Sequence, residues 1–213
     1  MTTTAHQRVG SSSGLARGLG FVGLAGVLAF LGTVVVLHLV RADLSPVNDF
    51  VSDYANGRLN ALFTVGVLAH GAGNAAIAVG LARDLGPGRA ARTGATLFAL
   101  AAVGLLVAGL FRTDPAGAAA SLEGVIHARA ATLSFPVELL ALLLLSSAFR
   151  ASPAWQTYGR RSLVLAVVAG VAMLWMFGAV LSSWAPGLAE RGALGAFAVW
   201  ELSTAVRMAR GAG

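Results

Sequence analysis

The 213-residue sequence has no cysteine and no lysine, and only 11% of its residues are charged. The missing cysteine excludes disulfides and thiolate metal sites. The missing charge excludes a soluble fold, because a globular domain usually carries about 25% charged residues to hold its surface in water. Hydrophobic residues make up 57% of the chain and the mean hydropathy is +0.78, so the solvent for most of it is lipid. The missing lysine leaves 15 arginines to carry a net charge of +6. These do not gather into one dense run or helical stripe, which argues against a nucleic-acid partner. They sit in small groups between apolar segments, as topology signals do.

Long apolar runs are what the sequence has in abundance. A helix needs about 20 mostly apolar residues to cross a hydrocarbon core of about 30 Å. Six segments qualify, at about 18–40, 60–82, 93–111, 125–149, 162–184 and 192–208. No strand-length alternation is visible, and a helix satisfies its own backbone polar groups in lipid. The predicted fold is therefore all-α, a polytopic transmembrane bundle of six spans forming one domain over 18–208. A disordered tail is expected at 1–17, with a short C-terminal tail at 209–213. The first apolar run is too long for the 7–15-residue core of a signal peptide and reads as a retained span.

The connections differ in charge. Arg8, Arg17, Arg83, Arg89, Arg92, Arg150, Arg160, Arg161, Arg207 and Arg210 fall in one set, with Asp84 as its single acid. The other set holds Arg41, Arg58, Arg112 and Arg191 with Asp43, Asp49, Asp53, Asp114, Glu123 and Glu190. The positive-inside bias predicts that the first set, and with it both termini, is cytoplasmic. Small residues recurring every fourth position, Ala72, Ala76 and Gly80 on the second span and Gly104 and Ala108 on the third, are candidate helix–helix seams.

Ionisable groups within a span cost about 2.5–3.5 kcal/mol on insertion scales and usually face the bundle interior. His70 and Asn74 share a face of the second span, Glu138 lies in the fourth and Glu201 in the sixth. At 1.5 Å of rise per residue, His70, Glu138 and Glu201 lie roughly 15, 20 and 14 Å from the outer ends, so packing can bring them to one level. His127, Ser134 and Glu138 follow at i, i+7 and i+11, a single polar stripe running inward along the fourth span. Pro136, within that stripe, removes the hydrogen bond to the Thr132 carbonyl, for which Thr132, Ser134 or a trapped water is a candidate partner. The structural reading makes a protonated Glu138 interhelical glue, bonded to His70 or Asn74. The functional reading makes His70, Asn74, Glu138 and Glu201 the lining of a ligand-binding or proton-relaying cavity. Two carboxylates and a histidine could also hold a metal, but no compact motif such as H-E-x-x-H supports one.

Asp53, Arg112, Asp114, Glu123, His127 and Arg129 belong to the outer face. They read either as a salt-bridged cap or as a site meeting lipid headgroups or a small substrate, with Asp53, Asp114 and His127 as the candidate catalytic set. No G-x-S-x-G, P-loop or G-x-G-x-x-G fingerprint is present, and the cofactor, if any, is left open.

Three blocks carry a family resemblance. The first outer loop reads SPVNDFVSDYANG from Ser45 to Gly57, the third span ends GLFRTDPAG from Gly109 to Gly117, and IHARAATLSF runs from Ile126 to Phe135. In this order, between six apolar spans, they resemble the bacterial and archaeal multi-pass membrane family called domain of unknown function 998. The matching positions are Ser52, Asp53, Tyr54, Gly109, Phe111, Asp114, His127 and Phe135. The family usually carries proline soon after Gly-Leu-Phe, where this chain has Arg112 and Thr113. The resemblance implies a bacterial or archaeal plasma membrane and outer-face positions that act together, and it supplies no reaction. Three functions remain open: binding or moving a small amphipathic, lipid-like molecule; metal-dependent hydrolysis of lipid at the outer leaflet; and a non-catalytic scaffold. Membrane lipids are the one partner implied, and the oligomeric state is left open.

Overall fold

The computed structural model describes the backbone of residues 3–211 and the side chains of residues 14–211. It contains α1 (Thr3–Val40), α2 (Asn60–Asp84), α3 (Arg89–Leu110), α4 (Leu122–Ala151), α5 (Gln156–Ser182) and α6 (Pro186–Arg210), with a 3₁₀ turn at Val51–Ala55. No strand occurs among the described residues. Each of the six expected segments lies on one helix, with the third reaching one residue and the fifth two residues past the helix end. Helical backbone already begins at Thr3, where a disordered tail through residue 17 was expected, and most of that tail lies outside the described side chains.

Chain punctuation sets the helix ends. Gly86 adopts φ +74° just after α2, and Pro186 opens α6 at a position where its missing N–H costs nothing. Ser121 caps α4, accepting a hydrogen bond from the Gly124 N–H at 3.0 Å. Pro136 does not interrupt α4. The Ser134 hydroxyl donates to the Ala130 carbonyl at 2.7 Å, so it does not serve Thr132.

Each helix packs on its neighbours in sequence, and α6 returns to pack on α1. The ring has two unlike ends. Arg17 reaches the Ala209 carbonyl, Trp155 donates to Asp84 and Arg207 donates to the Ala154 carbonyl, so Arg17, Asp84, Ala154 and Arg207 share one end, the arginine end. The 3₁₀ turn, the 111–121 loop and the start of α6 form the other, the capped end.

Helices α1–α5, from Gly14 onward in α1, are long and apolar enough to cross a membrane. With 25 residues, α6 is long enough to span, but Glu190, Arg191, Glu201, Arg207 and Arg210 dilute its hydropathy. Large apolar side chains such as Leu133, Val171, Leu174 and Leu181 point outward, a surface that lipid solvates and water does not. This is a multi-pass membrane fold.

The α1–α2 seam differs from the expected row. Ala72 is exposed, and Gly66, Gly73 and Gly80 form the contact instead, each seven residues from the next. A Cβ on Gly26 would meet the Ala69 carbonyl and stand 2.8 Å from the Gly73 Cα, so only glycine permits this approach. Gly104 does face α4, against Ser134 and the Ala130 carbonyl, and Ala108 is buried.

Candidate functional site

The ring turns its polar residues inward. His70 and Asn74 are one turn apart on α2, and both reach Glu201 on α6. The His70 Nε2 is 2.8 Å from the Glu201 Oε2, and the Asn74 amide donates to the Glu201 Oε1. Glu201 is fully buried, and the Phe30 ring stacks on His70 at 4.6 Å and 15°. The glue partner is thus Glu201 and not Glu138. Two facing helices deliver His70 and Glu201 to one level, whereas Glu138 enters from α4 on the other side.

Glu138 is 95% buried, lies beside Glu201, and has no hydrogen-bond partner for its Oε1. The Nδ1 of His70 and the Oδ1 of Asn74 are also buried without a partner. Buried polar atoms are ordinarily paired, so three orphans around one carboxylate are a departure that needs a cause.

Two cavities adjoin two of the three, His70 and Glu138. An inner one of about 20 Å³ is lined by His70, Ser134, Glu138 and Glu201 among apolar side chains. An outer one of about 60 Å³ extends toward the capped end, where Ser52, His127 and Glu190 line it. His70, Leu105, Phe135 and Leu194 belong to both, so the cavities meet at this collar. The stripe read along α4 runs beside them, His127 on the outer cavity, Ser134 and Glu138 on the inner.

His127 is held from α3. Its Nδ1 is 2.8 Å from the Ala108 carbonyl and 2.9 Å from the Phe111 carbonyl. Carbonyl oxygens only accept, so Nδ1 carries a proton, and Nε2 is the ring nitrogen left without a backbone partner. The two carbonyls end α3, so His127 satisfies groups the helix itself leaves open.

Asp53, Asp114 and His127 do not form a common metal centre. Among the described residues no three His, Asp or Glu side chains are grouped to hold an ion. Asp114 accepts from the backbone N–H and the hydroxyl of Ser121, at 3.0 and 2.6 Å, and its carboxyl is held below the usual range by those bonds. Asp53 accepts from the Phe50 N–H at 2.8 Å, capping the 3₁₀ turn, while burial pushes its carboxyl above the ordinary value. Glu123 accepts from the Arg112 N–H at 2.8 Å. These acids tie the loops down through backbone N–H groups and a hydroxyl, and none of them is in a salt bridge among the described residues, where a salt-bridged cap was expected. Arg112 joins through its backbone, and no partner is seen for Arg129 among the described residues.

Other members of the cap were not singled out from sequence. Arg41, 95% buried, grips Asp43 with Nε and Nη2 and donates from Nη1 to the carbonyls of Asn56 and Arg58, closing the 41–58 loop. Arg191 donates to His38 and to the Asp49 carbonyl and lies 5.9 Å from the Tyr54 ring. Glu190 accepts from the Val51 N–H, binding the 3₁₀ turn to α6. All appear in the sequence as loop charges. Their contacts cross long stretches of chain that no local pattern encodes.

The three blocks of the resemblance now have a common place. Ser52, His127 and Phe135 line the outer cavity, Tyr54 is buried beside it, and Asp114 and Phe111 hold the α3–α4 turn to which His127 bonds. The family model described as a protein of unknown function (DUF998) matches residues 24–207. The chain belongs to the DUF998 family. No curated protein and no solved structure shows significant similarity to it. Within this DUF998 chain, the converging blocks, the two cavities and the buried His70–Glu201–Asn74 cluster form one continuous region, from the capped end to the bundle centre.

Proposed function

We propose that this DUF998 protein crosses a bacterial or archaeal cell membrane six times, with both termini cytoplasmic, and binds or moves a small amphipathic molecule through the paired cavities. The observation that carries the reading is the collar of His70, Leu105, Phe135 and Leu194, where an outer cavity meets an inner one containing orphaned polar atoms. Packing alone would favour closing such a space, because an unfilled void forfeits contacts on every side. The walls suit an amphipath, with phenylalanine around the passage and carboxylates at its inner end.

The sixth span is favoured by the inward turn of its acids. Glu201 is fully buried, while Leu188 and Val199 point outward. Counting α6 gives an even number of crossings, in keeping with arginines gathered at the end that holds both termini.

Ala131, on the outer cavity wall, offers a direct test. Native mass spectrometry of the protein released from nanodiscs should find a small-molecule adduct on wild type that Ala131→Phe, which fills the cavity, does not retain. An adduct carried equally by a folded Ala131→Phe protein would overturn the reading.

A further inference from the structure

Resting on that reading, we infer that the cavity ligand is a small organic cation, an ammonium with N–H donors on a short apolar body. The argument is an account of what the walls offer. His70 is 97% buried, and its Nε2 faces a Glu201 oxygen, which as a carboxylate only accepts, so Nε2 carries the proton. The other ring nitrogen, Nδ1, is buried and meets no partner among the described residues. The Glu138 Oε1, equally unmet, is an acceptor beside it. His127 commits Nδ1 to the Ala108 and Phe111 carbonyls, so Nε2 is the nitrogen it leaves to the outer cavity. Glu190 brings a further carboxylate to the outer wall.

No arginine lines either cavity, and each has one hydroxyl donor, Ser52 in the outer and Ser134 in the inner. Ser134 is already committed to the Ala130 carbonyl. Carboxyl groups of Glu138, Glu190 and Glu201 with no arginine in the lining disfavour an anion. They suit a guest that donates several hydrogen bonds and carries positive charge. An inorganic cation fits poorly, since hard cations want six or more oxygens and no metal-holding group is assembled among the described residues.

The apolar part of the wall completes the match. Phe30, Phe63 and Phe135 line the outer cavity and Phe197 the inner, faces that attract a cation and solvate a hydrocarbon body. Size sets the scale. At about 10–15 Å³ of such volume per water, the outer cavity of about 60 Å³ holds the equivalent of about four to six waters, room for an ammonium with a few methylenes.

The test uses n-butylamine, butyrate and n-butanol, three probes of one body and three head groups. Each is titrated by saturation-transfer NMR against the full chain in zwitterionic nanodiscs, with empty nanodiscs as blank. Butylamine should bind saturably and at least tenfold more tightly than the other two, and Glu138→Gln should weaken it at least tenfold. Glu123→Gln, in the exposed first turn of α4, should leave it unchanged. Ala131→Phe should abolish binding. If butyrate or butanol binds more tightly, and Ala131→Phe removes that binding, the cation assignment is overturned while the cavity remains a ligand site. Amine binding indifferent to both Glu138→Gln and Ala131→Phe places the amine elsewhere and overturns the assignment. Absence of binding by all three overturns both the assignment and the cavity reading.

Discussion

Replacing Glu201 and Glu138 by glutamine separates the carboxyl group that joins α2 to α6 from its neighbour on α4. Glu201 holds two interhelical partners, His70 and Asn74, whereas the Oε1 of Glu138 holds none. In Glu201→Gln the remaining carbonyl oxygen can still accept from Asn74, but the amide that replaces the other oxygen cannot accept from His70. A hydrogen bond between transmembrane helices averages about 0.6 kcal/mol and reaches about 1.7. A buried donor left without a partner costs about 1–3 kcal/mol. Glu201→Gln should therefore lose about 1–3 kcal/mol, while Glu138→Gln should stay within about 0.5 kcal/mol of wild type. Reversible unfolding in mixed micelles measures both. A double-mutant cycle with His70→Ala should show coupling to Glu201 and none to Glu138. Equal losses, or a larger loss for Glu138→Gln, would refute the assignment of Glu201 as the structural partner.

Three further expectations concern the seam, the orientation and the cap. Gly26→Ala should destabilise by about 1–3 kcal/mol because backbone of α2 blocks its Cβ, whereas Gly32→Ala, with nothing within 4 Å, should be neutral or mildly stabilising; equal effects would contradict the close α1–α2 contact. In this cysteine-free chain, Ala119→Cys should react with an impermeant thiol reagent in intact cells and Ala151→Cys should not, and the reverse pattern would invert the proposed topology. Burial, partly offset by the Phe50 N–H bond, raises the Asp53 carboxyl, so the folded state holds that proton more tightly than the unfolded one. Stability is then greatest below the ordinary aspartate value and falls as pH rises through the raised one. Asp53→Asn should flatten that fall in unfolding measured from pH 4 to 7, and a steeper fall would show that the ionised carboxylate is favoured where it sits.

Much of the fold is legible in the sequence because lipid imposes a blunt rule, about 20 apolar residues per crossing, and the runs here are long and uninterrupted. His70, Glu138 and Glu201 stand out for the same reason, since an ionisable group in such a run has few places to go but inward. Their pairing was not legible. Rise per residue placed all three at one level, but whether α4 or α6 brings its acid to His70 depends on the order of helices around the ring. The small-residue row on the second span was read at the wrong period. A spacing of four suggested Ala72–Ala76–Gly80, while the packed row repeats every seven through Gly66, Gly73 and Gly80. The outer-face residues were found and their tasks were not. Asp53 and Asp114 look like catalytic acids in a list of loop residues, yet each closes a turn by accepting backbone N–H groups. Arg41 and Arg191, read only as topology charges, tie the cap together through partners 15 to 153 residues away.

Water access to the collar tests the central claim most directly. Leu194, eight residues in from Pro186, lines both cavities, and Leu174, eight residues in from Ser182, is 68% exposed on the lipid face. A thiol reacts with a charged methanethiosulfonate only as thiolate, which needs water. With reagent added from the capped side, Leu194→Cys should be modified and Leu174→Cys should stay silent. Silence at both positions, or reaction only at 174, would contradict a solvated path from the capped end to the bundle centre.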